Sequence, residues 1–339
     1  MAVNLHSDTQ TKPTAGMRAA MAAAEVGDEQ RMADPTVNAL CERVCALLGV
    51  EAAVFLPTGT MCNQIALRVH VRPGGDAVFL HRTAHPLIAE AGGPAVVPGA
   101  FPVWLPGERG MFDADTLRAA LYADGDRYAP RNRLVSLEQT TNVAGGHVWP
   151  LEQWRAVQEV AFERGMAVHV DGARLMNAVI ASGVPAADWA AGCDSVWIDF
   201  TKGLGAPLGA VMGGSAAFID EAWRYKQMLG GAMRQAGIVA AGALYALDHH
   251  VERLAEDHAN ARRLAEGLAE LPGVVIDAAV TTNIVVFEVP DAPAFVAGLD
   301  ALGVDMLDMG PTTIRAVTHL DVTAADIDTA LAAAASVLA

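Results

Sequence analysis

"DSVWIDFTKGLGAPLGA", residues 194–210, runs an apolar, strand-like segment straight into a glycine-rich loop that carries one lysine, Lys202. Only two other lysines occur in the chain, Lys12 and Lys226. An exposed loop is the ordinary place for a lysine. Here the apolar approach, the neighbours Gly203 and Gly205, and the scarcity of lysine point to a desolvated amine able to attack a carbonyl and form a Schiff base. The small residues would let another molecule come close to the backbone. "GLGAPLG" also approaches the dinucleotide fingerprint G-x-G-x-x-G. Leu208 occupies the third glycine position, however, and Pro207 would disturb the helix that must hold a pyrophosphate.

Working outward, short apolar runs alternate with helical ones. "AAVFLP" precedes "GTMCNQIALRVHV", "RLVSLE" precedes "LEQWRAVQEVAFERG", and "MAVHVD" leads into "GARLMNAVIASG". Nearly continuous apolar strands separated by helices predict an α/β fold with a mostly parallel sheet covered on both faces. Ligands in such sheets sit beyond the carboxyl ends of the strands. From about residue 236 a long helical stretch with alternating charges leads to "NIVVFEV", "TIRAVTHL" and an Ala-rich final helix, which predicts a smaller α+β domain. The expected division is an N-terminal segment, 1–35, a large domain, 36–240, and a small domain, 241–339.

The 339 residues are 53% apolar with a formal charge of −16. That composition gives an ample core and argues against nucleic acid or an anionic membrane as partner. The longest apolar run, "AGIVAAGALYAL", is too short to span a bilayer, and "MAVNLHSDTQ" has no basic start, so a cytoplasmic protein is expected. Cys41, Cys45, Cys62 and Cys193 have no zinc spacing, and no metal is expected. His249, His250 and His258 read as part of a solvated helix face.

Asp171 ends a strand in "HVDGAR". A helix N-cap is one reading; a carboxylate that keeps a pyridine nitrogen protonated is the other. An Asp and a Lys after separate strands, about thirty residues apart, suit pyridoxal phosphate. Thr58, Gly59 and Thr60 lie at a strand-to-helix turn whose free N–H groups favour an anion. His85 is either a loop histidine or a flat ring that stacks on a cofactor. Arg174 could be a surface residue. Arg315 stands in a strand-like run, where an arginine needs an anion such as a substrate carboxylate.

Together "SDTQTKPTAGMRAAM", "GDEQRMADPTVNAL", "FLPTGTMCNQ", "HVDGARLMNAV", "TKGLGAPLGA", "GGAMRQAG" and "RAVTHLDV" resemble, in order, the threonine aldolase / β-eliminating lyase family of pyridoxal-phosphate enzymes, fold type I. The resemblance implies Lys202 as the Schiff-base lysine, Asp171 as partner of the pyridine nitrogen, His85 as the stacked ring and Gly59 and Thr60 as phosphate ligands. It implies Arg234 as an arginine reaching a neighbouring subunit's phosphate, and Ser7, Arg174 and Arg315 as holders of the substrate carboxylate, Arg174 also lying near the cofactor's ring hydroxyl. A homotetramer with sites shared between subunits follows. Arg31 stands where the family usually has tyrosine, adding a cation at the site's edge. Thr141, in "LEQTTN", stands where a histidine normally faces the substrate's β-hydroxyl; threonine can hydrogen-bond but is no base. Glu90 is a candidate for orienting a water. The implied reaction is Cα–Cβ cleavage of a β-hydroxy-α-amino acid. The alternatives are β-elimination to a keto acid and ammonia, and a non-catalytic binding protein of the same fold.

Overall fold

The computed structural model describes residues 3–71, 75–276 and 279–339. Its strands are Val3–Asn4 (β1), Ala52–Leu56 (β2), Ala77–His81 (β3), Phe101–Leu105 (β4), Asn132–Glu138 (β5), Ala167–Asp171 (β6), Ser195–Asp199 (β7) and Ala210–Gly214 (β8), then Val275–Ile276 (β9), Ile284–Glu288 (β10), Val304–Asp305 (β11), Leu307–Asp308 (β12) and Thr313–Val317 (β13). The main sheet has the order β2-β8-β7-β6-β5-β3-β4. Strand β8 is antiparallel to both neighbours, whereas β7, β6, β5, β3 and β4 pair in parallel. The expected mostly parallel sheet is therefore present.

Side-chain alternation along each strand covers both faces. Val54 and Leu56 of β2, Trp197 of β7 and Met212 of β8 pack with Ile65 and Ala66 of the helix Gly59–His70 and with Phe218 and Ala222 of the helix Ala216–Met228. Phe55, Ile198 and Val211 point the other way, onto Leu40 and Val44 of the helix Pro35–Leu48 and Ala240 and Ala243 of the helix Gly237–His249. The fold is a three-layer α/β/α sandwich with its carboxyl strand ends gathered along one edge.

A second, antiparallel sheet, β12-β13-β10-β9, packs on the helices Leu254–Ala269, Ala292–Ala301 and Ala324–Leu338. The N-terminal residues join it: β1 pairs in parallel with β11, and the Leu5 carbonyl accepts from the Val317 N–H at 2.8 Å. The helical run after residue 236 is broken at 250–253. There the Leu204 carbonyl lies 2.7 Å from His250 Nδ1, and Arg253 turns back onto Asp257 at 2.6 Å. His250 and His258 are buried, so the solvated face expected of the three histidines is reduced to His249. Among the described residues no helix is long and apolar enough to cross a membrane.

Candidate active site

Five strands of the main sheet deliver residues to one cavity of about 370 Å³. Thr58, Gly59 and Thr60 follow β2 and His85 follows β3. Glu138 and Asn142 come from the end of β5, Asp171 and Arg174 from β6, and Asp199 and Lys202 from β7. Glu138 and Asp171 stand directly opposite each other in the β5–β6 register.

Asp171 lies at the buried floor, 1% exposed. Its Oδ2 accepts from Asn63 Nδ2 at 2.7 Å and its Oδ1 from the Ala173 N–H at 3.1 Å. Asp171 does not cap the following helix, which starts at Leu175. Asn63 is fixed in turn, its oxygen accepting from Trp197 Nε1 at 2.8 Å. Burial raises the Asp171 pKa against the pull of His85, Asn63 and Lys202, so an incoming cation would be held strongly there. Burial, followed by the charge of Asp171, pushes the neighbouring Glu138 up to about 8.

Glu90 does not face the cavity as a water-orienting group would. Its Oε1 accepts from Asn63 at 2.8 Å and lies 2.8 Å from His85 Nδ1, and its Oε2 accepts from Gln64 at 2.5 Å. Both of its oxygens are turned to these partners and it does not line the cavity; it aims the His85 ring instead. The same hydrogen bond raises the His85 pKa, with burial opposing it and Asp171 assisting.

The Lys202 ammonium sits on Asp199 Oδ2, 5.7 Å from the centre of the Trp197 ring. Its loop is pinned, because the Lys202 carbonyl accepts from Thr11 Oγ1 at 3.0 Å and from the Gly205 N–H at 2.8 Å. The glycines beside it serve the chain itself rather than an approaching molecule. A Cβ on Gly203 would meet Leu254 at 2.9 Å, and Gly205 has φ +74° with Leu320 against it. Gly59 is needed because a Cβ there would lie 2.3 Å from the Trp197 ring. Thr58 caps the helix behind it through the Met61 N–H at 3.1 Å, so the remaining first-turn N–H groups open toward the cavity.

Arg174 is buried, not a surface residue. Its Nε and Nη2 grip Asp8 at 2.7 Å each, while its Nη1 reaches Asn142 at 3.3 Å. Arg315 Nη1 donates to the same Asn142 oxygen at 3.1 Å, and its Nε is buried with no hydrogen-bond partner among the described residues. Arg315 itself is not among the residues lining the cavity and reaches it through Asn142, which is. Ser7 caps a short turn, accepting from the Thr9 N–H at 3.2 Å, just behind Thr9 on the cavity wall. Thr141 is not brought to the wall. Fully buried, its hydroxyl accepts from the His147 N–H at 3.1 Å, so the adjacent Asn142 faces the cavity in its place. Arg31 and Arg234 are exposed and away from this cavity, Arg234 pairing with Asp28 at 3.1 Å. Sequence reading missed Asp8, Asn63, Glu138, Asn142 and Asp199. The available signal was a polar residue inside an otherwise apolar run, as in "VWIDF" and "RLVSLE".

This arrangement fits pyridoxal phosphate. It offers an amine, a buried carboxylate floor, a flat imidazole on one wall and a helix N-terminus on another. Fold and site together define a pyridoxal-phosphate-dependent lyase of fold type I. The model of the family described as "Beta-eliminating lyase" matches residues 4–292, and the chain belongs to that family. It is 38% identical over 333 residues to "Low-specificity L-threonine aldolase 1" of Arabidopsis thaliana, covering 96% of this chain and 93% of that protein. It is 40% identical over 321 residues to "Low specificity L-threonine aldolase" of Escherichia coli strain K12, covering 94% of each. Among solved structures, a Leishmania major threonine aldolase superposes with a TM-score of 0.86 at 20% identity, over 99% of this chain and all of that one; this likeness is one of fold.

Proposed function

We propose that the protein cleaves the Cα–Cβ bond of a β-hydroxy-α-amino acid to glycine and an aldehyde, with threonine as the reference substrate. The carrying observation is the convergence of Lys202, Asp171, His85 and the Thr58–Thr60 turn on one cavity, in a chain 40% identical to a threonine aldolase. Lys202 would hold the cofactor's carbonyl carbon, Asp171 its ring nitrogen, His85 its ring face, and Thr58, Gly59 and Thr60 its phosphate. When bound, pyridoxal phosphate supplies an electron sink for the charge left at Cα.

The chain's own side chains orient and protect. Arg315, whose Nη1 shares the Asn142 oxygen with Arg174 Nη1, would hold the substrate carboxylate together with Arg174 and Ser7. Fixing the carboxylate decides which bond at Cα is set for cleavage. Glu138, largely protonated near neutral pH, presents an O–H rather than a second charge beside Asp171. With the Thr141 hydroxyl buried against the His147 N–H and off the cavity wall, the β-hydroxyl proton would pass to a water or to the phosphate rather than to this side chain. The hydroxyl loses one proton and Cα gains one, so no other reactant is consumed.

The exposed Arg234 would reach a neighbouring subunit's phosphate within a homotetramer; Arg31 does not line this cavity and is assigned no role. A panel of aliphatic, aromatic and acidic β-hydroxy amino acids, scored for products, tests the reading. Aldehyde with equimolar glycine is expected; keto acid with ammonia and no glycine would replace this reaction by β-elimination.

A further inference from the structure

The cavity is lined by three carboxyl groups, Glu138, Asp171 and Asp199, and the last has a duty beyond those the functional reading uses. We propose that Asp199 is the positioning residue for Lys202, the dock that holds its amine whenever that amine is not covalently engaged. The inference rests on Lys202 being the cofactor-bearing residue.

Asp199 is the last residue of β7, paired in register with Ala210, and its side chain is 4% exposed. Its Oδ1 is already committed, accepting from the Thr201 N–H at 2.9 Å and from Thr201 Oγ1 at 2.7 Å. Those two donors fix the rotation of the carboxylate and leave Oδ2 turned to Lys202 Nζ, which it meets. The other cavity acids have different partners. Asp171 is held by Asn63 and Ala173, Glu138 accepts from the Asn142 N–H at 3.2 Å, and Asp8 is gripped by Arg174 and Asn283. A free lysine amine in this cavity would otherwise settle on Asp171, the carboxylate that must stay open for the ring nitrogen. Asp199 prevents that competition and keeps the amine at one place.

With only three lysines, the chain contains its own reference, because Lys12 is exposed. The full-length protein freed of cofactor is treated with limiting acetic anhydride, and acetylation of Lys202 relative to Lys12 is read by peptide mass spectrometry. In Asp199→Asn the Thr201 donors retain the amide oxygen, so the amide NH2 faces Lys202 and cannot accept. The Lys202:Lys12 ratio should then rise about tenfold, the factor expected for losing one charge-assisted hydrogen bond. Asp199→Glu, which restores the charge, should return the ratio toward wild type. An unchanged ratio in Asp199→Asn overturns the proposal. A second measurement needs no variant: carbodiimide coupling of the cofactor-free wild type should join Lys202 to Asp199 with loss of one water. A link to Asp171 or Glu138, or no link, overturns it. Both readouts are independent of turnover. Failure of the functional reading would appear separately, as wild-type protein that takes up no cofactor at Lys202.

Discussion

Replacing Asp8 by Asn tests how far the N-terminal segment is part of the site. The carboxylate is wholly buried and accepts three hydrogen bonds, from Arg174 Nε and Nη2 at 2.7 Å and from Asn283 Nδ2 at 3.0 Å. Burial alone would raise its pKa, but the charge and hydrogen bonds of Arg174, helped by Lys202 and Asn283, hold it at about 2 against an ordinary 3.8. Because the native state binds its proton more weakly than the unfolded chain, the contribution is present above pH 3.8 and disappears as pH falls through 2. At neutral pH it amounts to about 2.4 kcal/mol, and at pH 3 to roughly half of that. The substitution also leaves the buried Arg174 without a counter-ion, which costs about 3–5 kcal/mol. Urea unfolding should therefore show Asp8→Asn less stable than wild type by about 3–5 kcal/mol at pH 7, with the gap about 1 kcal/mol narrower at pH 3. A loss under 1 kcal/mol, or a gap that ignores pH, would refute the reasoning.

Lys202→Ala should lower turnover at least about a thousandfold, and borohydride should fix the cofactor to the Lys202 peptide of wild type only; a tag elsewhere would move the nucleophile. Gly59→Ala drives a methyl into the Trp197 ring, which steadies Asn63 and through it Asp171. It should lose about 1–3 kcal/mol and bind pyridoxal phosphate more weakly, as read by thermal unfolding and by equilibrium dialysis. Glu138 keeps its proton to about pH 8 when folded, but releases it near 4.5 in the unfolded chain. Cofactor-free wild type should lose stability as pH rises through that window, while Glu138→Gln should lose distinctly less; parallel pH profiles would remove Glu138 from its assigned place.

The strand-forming runs ending at Leu56, Glu138, Asp171 and Asp199 were legible because parallel strands buried on both faces are written as nearly unbroken apolar segments. Lys202 stood out by rarity and Asp171 by its position after a strand. The insertion of the antiparallel β8 between β2 and β7 was not legible, since strand order depends on packing between distant segments. Asn63 reads as an ordinary helix polar residue until its helix lies across the ends of β6 and β7. Thr141 and Glu90 were placed at the reacting end because a linear motif gives adjacency along the chain but not the direction of a side chain. Thr141 turned inward to satisfy a backbone N–H, and Glu90 turned to Asn63, Gln64 and His85. The break at His250 has neither glycine nor proline to announce it; a side-chain contact to the Leu204 carbonyl accompanies the turn.

The pairing of β1 with β11, and of Asp8 with Asn283 some 275 positions later, sets an order of events on the ribosome. Strand β1 can find β11, and Asp8 can gain Asn283, only after residues 283–305 have emerged, although Asp8 can meet Arg174 before then. Until then Asp8 lacks the Asn283 hydrogen bond and Asn142 lacks Arg315, so a nascent chain holding an otherwise finished central sheet still lacks part of the site.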